Sequence, residues 1–369
     1  MGEKYNFKKL FMKILCFTDG FNQGGAERQL IGLANLLQQH GFDVTLASYH
    51  KENFYKSLMD SCNLKYDFIE SSGLQLSKLV SCYKYFKTKG FDCVISYKGG
   101  CNQICCLLKA IGMSFKLIVS ERCLVYDFNA FQKRKFFLYR FADYIVPNSY
   151  AQEKFIGEHY PKLLAKTVTI TNFTDIDTFV PVKNETHSKL RVLVTARISH
   201  QKNIKRFIEA LSILKKENLS IDVKWFGNVN FGEDTYALEC KELIERYGIG
   251  DIFHLLPATT SISTEYQSCD VFCLPSIFEG YPNVVCEAMS CGKPVLCSNV
   301  CDNSTIVEDG VNGYLFDPYN IMDIVQAFRK VYSLSTNQRE EMGTKSREMA
   351  VVKFSKKTFV NKYIKLIEK

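Results

Sequence analysis

Short apolar runs of strand length alternate along this chain with longer stretches of helical periodicity. In the first half, residues 26–39 have the 3.6-residue period of a helix, which Gly41 ends. Strands are predicted at residues 12–17, 43–48, 92–96, 117–120 and 144–147. The alternation pauses over residues 172–189, a polar stretch with turn-forming residues that we interpret as a linker.

The same alternation resumes after this polar stretch. Strands are predicted at residues 191–195, 223–227, 252–255, 271–275 and 294–297, and helices at 203–216, 236–247, 284–291 and from about 319 onward. Strands that alternate with helices indicate a parallel sheet covered on both faces. We therefore predict an α/β protein of two doubly wound, Rossmann-like domains, residues 1–180 and 181–352. Ligands bind such sheets beyond the carboxyl ends of the strands, and the cleft between two facing domains is the expected site.

Composition supports two globular domains and leaves the class of partner open. The chain has 369 residues, of which 46% are hydrophobic, and a formal net charge of +8, which favours anionic partners in general. Its 15 cysteines are scattered through apolar runs without CxxC pairs at zinc spacing, which is typical of a reducing compartment. No apolar run reaches the 18–20 residues, roughly, that span a bilayer. Lys13 interrupts the apolar stretch near the amino terminus, so we expect a cytoplasmic protein without a signal peptide.

A Gly-Gly pair, Gly24-Gly25, lies between the first predicted strand and the first helix. Glycines here let a backbone approach a ligand, and the helix amino terminus offers N–H groups to an anion. The simpler alternative is a flexible turn. The pair belongs neither to a GxGxxG motif nor to a P-loop, which weakens the support for a dehydrogenase or a P-loop ATPase.

Two cations, Arg197 and Lys202, follow the first strand of the second predicted domain. Positive charge at a helix start opposes the helix dipole, so an anion is expected between them. Arginine binds phosphate oxygens in bidentate fashion and lysine supplies a point charge. Two solvated surface charges are the alternative interpretation.

Two carboxylates, Glu279 and Glu287, lie in a predicted loop and in the first turns of the helix after it. Pro282 and Asn283 make a plausible helix entry whose amides face a phosphate. Glu287 can accept hydrogen bonds from a vicinal diol such as ribose, and Glu279 can reach a sugar beyond the diphosphate. The spacing alone does not favour ligand binding, because one loop carboxylate and one carboxylate stabilised by the helix dipole explain it equally well.

Metal and hydrolase chemistry lack support in the sequence. Asp175-Ile176-Asp177 has the DxD spacing of metal-dependent transferases but falls in the predicted linker, so we expect no metal and no cofactor. The six histidines form no HExxH pair, and no GxSxG is present.

The stretch from Phe128 to Arg140, FNAFQKRKFFLYR, mixes aromatic and basic residues. It suits an anionic membrane surface. It equally suits a helix with one buried aromatic face and one solvated basic face.

Several segments in chain order resemble the large retaining glycosyltransferase group with the GT-B fold, family 4, whose bacterial members build surface polysaccharides and lipid-linked oligosaccharides. The segments are GGAERQL (24–30), VSER (119–122), NFTDIDTFVP (172–181), ARISHQKNIKRFIEAL (196–211), FEGYPNVVCEAM (278–289) and DGVNGYLFDP (309–318). The resemblance covers most of the chain. It implies that residues 353–369 form a closing helix that crosses back to the first domain.

The resemblance assigns roles by position in this chain. Arg197 and Lys202 would hold the donor diphosphate, Glu279 would contact the donor sugar, and Glu287 would bind the ribose. The donor-binding segment would include Tyr281 and Pro282, with the amides of Asn283 and Val284 near the phosphates. Gly24 and Gly25 would let the acceptor-side domain close on the donor. Ser120-Glu121-Arg122 occupies the stretch where family members often carry a histidine, so that role is unassigned.

The prediction is a retaining glycosyltransferase that moves a sugar from a nucleoside diphosphate, UDP, to a hydroxyl of a polysaccharide or lipid-linked oligosaccharide. We place it in the cytoplasm, peripheral to the inner face of the membrane. A nucleotide-sugar epimerase of the same architecture, a basic nucleic-acid-binding protein and a catalytically silent relative are the alternatives. A nucleic-acid partner would need clustered basic residues with stacking aromatics, which only Phe128–Arg140 suggests, and it would leave the paired glutamates unexplained.

Overall fold

Two six-stranded parallel sheets organise the chain. The computed structural model describes residues 12–22, 24–72, 74–122, 129–183 and 187–369. Clustering of contacts divides them into a first unit, which contains the described residues up to Asn172 together with Lys356–Lys369, and a second unit, Phe173–Ser355. Each unit is built around one of the sheets.

The first unit's sheet has the strand order β3-β2-β1-β4-β5-β6, with every neighbouring pair parallel. Its strands are β1 (Lys13–Phe17), β2 (Asp43–Ser48), β3 (Lys65–Phe68), β4 (Cys93–Tyr97), β5 (Lys116–Glu121) and β6 (Tyr144–Pro147). Ile14 of β1 pairs with Val44 on one side and Cys93 on the other. Central strands such as β4 are buried throughout, which explains their continuous apolar sequence.

Helices connect these strands and cover the sheet. They are α1 (Gly25–Gln39), α2 (Lys56–Ser61), α3 (Gln75–Lys89), α4 (Gly99–Ala110), α5 (Ala130–Leu138), a 3₁₀ turn (Tyr139–Phe141), α6 (Tyr150–His159) and α7 (Pro161–Leu164). The last helix of the chain, Lys356–Glu368, also belongs to this unit. It is anchored by a 3.1 Å hydrogen bond between the buried hydroxyls of Tyr97 and Tyr363 and by Lys116 Nζ, which donates to the Ile367 carbonyl at 2.6 Å.

The second unit repeats the same winding. Its strands are β7 (Leu190–Thr195), β8 (Ile221–Phe226), β9 (Phe253–Leu256), β10 (Val271–Leu274), β11 (Val295–Ser298) and β12 (Gly313–Phe316). They lie in the order β12-β11-β10-β7-β8-β9, again all parallel. Counted within the unit, this is the same 3-2-1-4-5-6 order as in the first, the doubly wound dinucleotide-binding arrangement.

The helices of the second unit pack on both faces of its sheet. They are a 3₁₀ turn (His200–Lys202), α8 (Ile204–Lys216), α9 (Asp234–Arg246), α10 (Ile262–Ser268), α11 (Asn283–Ser290), α12 (Asn303–Ile306), α13 (Ile321–Ser333) and α14 (Thr336–Lys353); the helix of the first unit at Lys356–Glu368 is α15. One core cluster contains Phe207, Trp225 and Phe328. A separate cluster contains Phe272 and Met289.

The predicted α/β class and the two doubly wound sheets are confirmed. The pattern missed β3 and β12, which are edge strands of their sheets. The sequence of β3, KYDF, is mostly exposed, and that of β12, GYLF, is half-buried at its centre. Because these two strands are poorly buried, their sequences carry no continuous apolar run, whereas the edge strand β6, YIVP, is buried and was predicted.

The chain passes between the units at Asn172 and Phe173, and again at Ser355 and Lys356, where we placed the limits at 180 and 352. Part of the predicted linker packs within the second unit: Phe179 is buried there, and the Thr174 amide donates to the Phe354 carbonyl at 3.0 Å. Within the described ranges, no helix combines the length and the apolar character needed to cross a membrane.

Candidate functional site

The second unit has a candidate ligand site where β7 and β10 lie side by side. The chain leaves these two strands towards opposite edges of the sheet, which opens a crevice at their carboxyl ends. The loops that follow them, residues 196–203 and 275–282, contain most of the predicted donor-binding side chains. Backbone and side-chain hydrogen bonds join the two loops: the Ile277 amide donates to the Gln201 carbonyl at 2.8 Å, and Gln201 Nε2 donates to the Phe278 carbonyl at 3.0 Å.

Joining the loops brings Lys202 and Glu279 together as an ion pair. The Lys202 and Glu279 side chains are only 12% and 10% exposed, so the pair lies in a poorly solvated environment. We predicted that each residue contacts a ligand; the structure adds that each holds the other. A ligand phosphate at Lys202 must therefore share this ammonium group with Glu279.

Arg197 lies at the same edge and is exposed. Its Nη1 donates to Asn230 Oδ1 at 2.7 Å. The loop after β8 holds the backbone beside it, because the Ile198 amide donates to the Asn228 carbonyl at 2.9 Å. A β-carbon on Gly227 would overlap the Ala196 carbonyl, so this close approach requires glycine. The guanidinium group is thus exposed and hydrogen-bonded to Asn230.

Helix α11 begins at Asn283, four residues after Glu279. Pro282 is its N-cap, and its carbonyl accepts from the amides of Val285 and Cys286 at 3.2 and 3.3 Å. Asn283 and Val284 open the helix, so their N–H groups belong to the first turn, which has no preceding carbonyls within the helix. Tyr281 is buried, with its ring edge-on to Phe354 at 6.1 Å. Such a helix start attracts an anion.

Glu287 lies on the second turn of α11 and is 4% exposed. The hydroxyl of Tyr266 donates to its Oε2 at 3.0 Å. A carboxylate at this depth needs donors that compensate for its lost hydration.

The cysteines around these carboxylates are poor nucleophiles. Burial raises the pKa of the Cys297 thiol, and the charge of Glu279 raises it further. Burial and the charge of Glu287 raise the pKa of Cys286 in the same way. Both thiols therefore stay protonated at neutral pH and offer no thiolate.

The Gly24-Gly25 pair follows β1 in the first unit. Gly24 is the N-cap of α1. Its amide donates to the Tyr55 hydroxyl at 3.2 Å, and the same hydroxyl donates to the Gly24 carbonyl at 2.9 Å. A β-carbon on Gly24 would overlap the carboxylate of Glu27. Glu27 in turn binds Lys98 Nζ at 2.5 Å. Gly25 is the first residue of α1. Inside its own unit, the first glycine makes room for a carboxylate of the same chain.

The basic aromatic segment forms α5, with Phe128 outside the described residues. Lys135 is 3% exposed and pairs with the buried Glu121 at 2.6 Å, and Glu121 also accepts from the Tyr139 hydroxyl. Phe137, in contrast, is 60% exposed. The alternative of a buried aromatic face opposite a solvated basic face is therefore wrong at these two positions. Lys135 is a structural charge and offers nothing to a membrane.

The DxD-spaced residues begin a turn: the Asp177 amide donates to Asp175 Oδ1 at 3.3 Å, and the Phe179 amide donates to the Asp175 carbonyl at 2.9 Å. In the part of the chain that the structure describes, no group of three or more His, Cys, Asp or Glu side chains is placed to hold a metal ion.

Several supporting residues escaped the sequence analysis. Gln201 joins the two loops, Asn230 holds Arg197, and Tyr266 binds Glu287. A glycine directly after a strand, Gly227, was the one detectable signal for the close approach. Asn230 and Tyr266 lie far from their partners in sequence, so no spacing rule connects them.

Comparison with known proteins finds glycosyltransferases that are similar to this chain. Residues 175–349 match the family described as "Glycosyl transferases group 1". The chain is 28% identical over 350 residues to an uncharacterized glycosyltransferase of Haemophilus influenzae, covering 89% of this chain and 92% of that protein. It is 25% identical to the amylovoran biosynthesis glycosyltransferase AmsD of Erwinia amylovora, covering 83% and 86%.

A third relative is named for a lipid-linked substrate. It is the Campylobacter jejuni GalNAc-alpha-(1->4)-GalNAc-alpha-(1->3)-diNAcBac-PP-undecaprenol alpha-1,4-N-acetyl-D-galactosaminyltransferase, 28% identical, covering 75% of this chain and 77% of that protein. Among solved structures, Anabaena HepE in complex with UDP has a TM-score of 0.84 at 20% identity, covering 97% of this chain and 100% of that chain. That likeness shows the fold, GT-B.

Proposed function

We propose, because residues 175–349 match the group 1 glycosyl transferases and the relatives of the chain are glycosyltransferases, that the second unit binds a nucleoside diphosphate sugar where β7 and β10 end. The sugar is transferred, with retention of anomeric configuration, to a hydroxyl of a polysaccharide or lipid-linked oligosaccharide. The observation that carries the proposal is the joining of the two loops, which places a cation, a carboxylate and a helix start at one crevice. Relatives that are glycosyltransferases favour this over the epimerase and nucleic-acid alternatives.

The diphosphate fits between Lys202, Arg197 and the first turn of α11. Each supplies positive charge or N–H donors, and all three are in place before the ligand binds. Lys202 exchanges part of its contact with Glu279 for a phosphate oxygen. Glu279, freed on that side, accepts from hydroxyls of the donor sugar.

The nucleoside extends towards Glu287, whose carboxylate accepts from the ribose hydroxyls. Uridine is our proposal for the base. The HepE structure that shares this fold holds UDP, which supports the proposal without extending to the contacts of this chain.

Transfer on the retained face requires stabilisation of the leaving group. The bond between the anomeric carbon and the phosphate oxygen breaks, and its electron pair goes to that oxygen. The acceptor oxygen bonds to the anomeric carbon on the same face, and its proton passes to the departing diphosphate, which lies beside it. Negative charge therefore grows where Lys202 and Arg197 lie, and this electrostatic contribution dominates the rate.

We propose that the developing negative charge is stabilised without a metal ion, since two cationic side chains and a helix terminus face the diphosphate. We also propose that the protein works in the cytoplasm, at the inner face of the membrane. The fourteen described cysteines are free thiols, which suits a reducing compartment. The relative from Campylobacter jejuni acts on a PP-undecaprenol-linked glycan, which supports a lipid-linked acceptor.

Turnover of UDP-sugars by the Lys202→Ala variant tests the proposal. Release of UDP is measured with a panel of UDP-sugars, with wild type as reference and Lys215→Ala as the matched control. Lys215 pairs with Asp251 on the surface, at the far end of α8. We expect kcat to fall about 10²-fold or more for Lys202→Ala, as when one preorganised donor is lost, and to stay near wild type for Lys215→Ala. Turnover should persist in excess EDTA.

Near-normal turnover by Lys202→Ala would refute the role given to this lysine. Complete loss of wild-type turnover in EDTA, restored by a divalent cation, would refute the metal-free mechanism while leaving the donor site in place.

A further inference from the structure

Two consecutive hydrogen bonds link buried hydroxyl and carboxyl groups in the second unit, starting at the end of β7. Thr195, the last residue of β7, lies 2.8 Å through its Oγ1 from the Tyr266 hydroxyl of α10, and that hydroxyl lies 3.0 Å from Glu287 Oε2 of α11. Tyr266 is completely buried and Thr195 is 8% exposed. Three elements of the unit, β7, α10 and α11, thus meet at one phenol oxygen.

The chemistry of the three groups sets the direction of these hydrogen bonds. An ionised carboxylate only accepts hydrogen bonds, so the phenol must donate its proton to Glu287. The phenol oxygen is then left to accept, and the Thr195 hydroxyl donates to it. Both hydroxyl protons therefore point towards Glu287, which stabilises its charge and fixes the plane of the carboxylate.

The ring of Tyr266 has little freedom to move. It packs edge-on against Phe179 at 5.7 Å and tilted against Phe272 at 5.6 Å, and both neighbours are buried in the same core cluster. The phenol oxygen is consequently held by packing, and Glu287 is held by the phenol.

We infer that Tyr266 is a positioning residue for recognition of the ribose, acting through Glu287 and supported by Thr195. This rests on the proposed function, in which Glu287 accepts from the ribose hydroxyls. A carboxylate that is fixed in one plane discriminates a nucleotide with both hydroxyls from one that lacks a hydroxyl. A carboxylate that can rotate discriminates less, because it pays an ordering cost on binding.

Calorimetric titration with UDP and with 2′-deoxy-UDP and 3′-deoxy-UDP tests the inference. Each deoxy nucleotide lacks one hydroxyl, and a hydrogen bond to a charged group is worth about 10-fold in affinity or more. We expect wild type to prefer UDP over at least one deoxy nucleotide by about that factor. Tyr266→Phe, which keeps the ring and removes the hydroxyl, should reduce the preference to about threefold or less.

Two further variants separate positioning from a general loss of stability. Thr195→Val should lower the preference in the same direction by a smaller factor, and it keeps the test open if Tyr266→Phe does not fold. Tyr332→Phe is the matched control: its hydroxyl accepts from the Ser220 amide at 3.2 Å before β8, so the preference should stay at the wild-type value. Glu287→Gln should lose most of the preference, and adding Tyr266→Phe to it should change the preference no further.

The outcomes distinguish the inference from its premise. If wild type prefers UDP and folded Tyr266→Phe and Thr195→Val keep that preference, the positioning role is overturned and the donor site stands. If wild type binds UDP and both deoxy nucleotides equally, or binds none of them, the ribose role of Glu287 in the proposed function fails and the inference falls with it.

Discussion

At the scale of single residues, Gly24 illustrates how a glycine that was predicted to face a ligand is also required by its own unit. Its φ of −165° is open to any residue, so the left-handed region is not the reason for glycine. The reason is Glu27, whose carboxylate occupies the space of a β-carbon and binds Lys98. Lys98 also binds Asp19 at 2.6 Å. Burial lowers the pKa of Lys98, but the two carboxylates outweigh this effect and leave the pKa raised.

Substitution of Gly24 by alanine should therefore destabilise the first unit. The added methyl must displace the buried carboxylate of Glu27 from its ion pair with Lys98, and overpacking of this kind costs about 1–3 kcal/mol. Gly100→Ala is the matched control, since its β-carbon would meet only the Tyr49 hydroxyl at 3.7 Å and alanine favours the helix.

Urea unfolding followed by far-ultraviolet circular dichroism checks this expectation. The single tryptophan, Trp225, belongs to the second unit, so its fluorescence does not report on the first. We expect a lower midpoint for Gly24→Ala and an equal or higher midpoint for Gly100→Ala. Equal midpoints for Gly24→Ala and wild type would show that Glu27 moves aside without cost.

At the scale of elements, α5 presents a surface that differs from the one its sequence suggested. Lys135 is withdrawn into the ion pair with Glu121. The large exposed side chains of the helix are Phe131, Lys133, Arg134 and Phe137, followed by Arg140 after the helix. The Arg140 guanidinium lies 3.3 Å from the centre of the Phe137 ring. Exposed rings beside cations suit the boundary between lipid headgroups and acyl chains.

We predict that this surface of α5 binds anionic membranes. Lys133→Gln combined with Arg140→Gln should weaken binding to vesicles that contain phosphatidylglycerol by about 10-fold or more, since each basic residue contributes about 1 kcal/mol. Phe131→Ser with Phe137→Ser should also weaken it through lost apolar contact. Co-sedimentation with vesicles at low and high salt measures both effects.

Phe231→Ser supplies the control for this experiment, because Phe231 is a fully exposed phenylalanine in the second unit. It should sediment like wild type. Equal sedimentation of wild type and both α5 variants would reject a membrane role for the helix.

At the scale of the whole molecule, the repeating alternation of strands and helices was sufficient to predict two doubly wound sheets. Central strands such as β4 are buried on both faces and therefore have apolar sequences that stand out. The edge strands β3 and β12 lack that property and were missed. The units divide at Asn172 and Ser355, within polar stretches where sequence offers no sharp signal.

The candidate site was predictable in its position and only partly in its contacts. Loops that follow adjacent parallel strands must meet at one edge, so Lys202 and Glu279 could be expected close together. That they pair with each other depends on Gln201, which bonds to the second loop. Tyr266 reaches Glu287 through tertiary packing alone, which no local pattern records. The roles of all the predicted site residues towards a donor stay predictions.

The central claim is that the second unit holds a nucleoside diphosphate sugar at the crevice of β7 and β10. Thermal unfolding of wild type and Lys202→Ala in the presence of UDP-, GDP- and ADP-sugars tests it most directly, with Lys215→Ala as control. The account predicts that UDP-sugars raise the unfolding temperature of wild type and Lys215→Ala, and that the increase is largely lost in Lys202→Ala. An unchanged unfolding temperature with every nucleotide sugar, or an equal increase in Lys202→Ala, would contradict it.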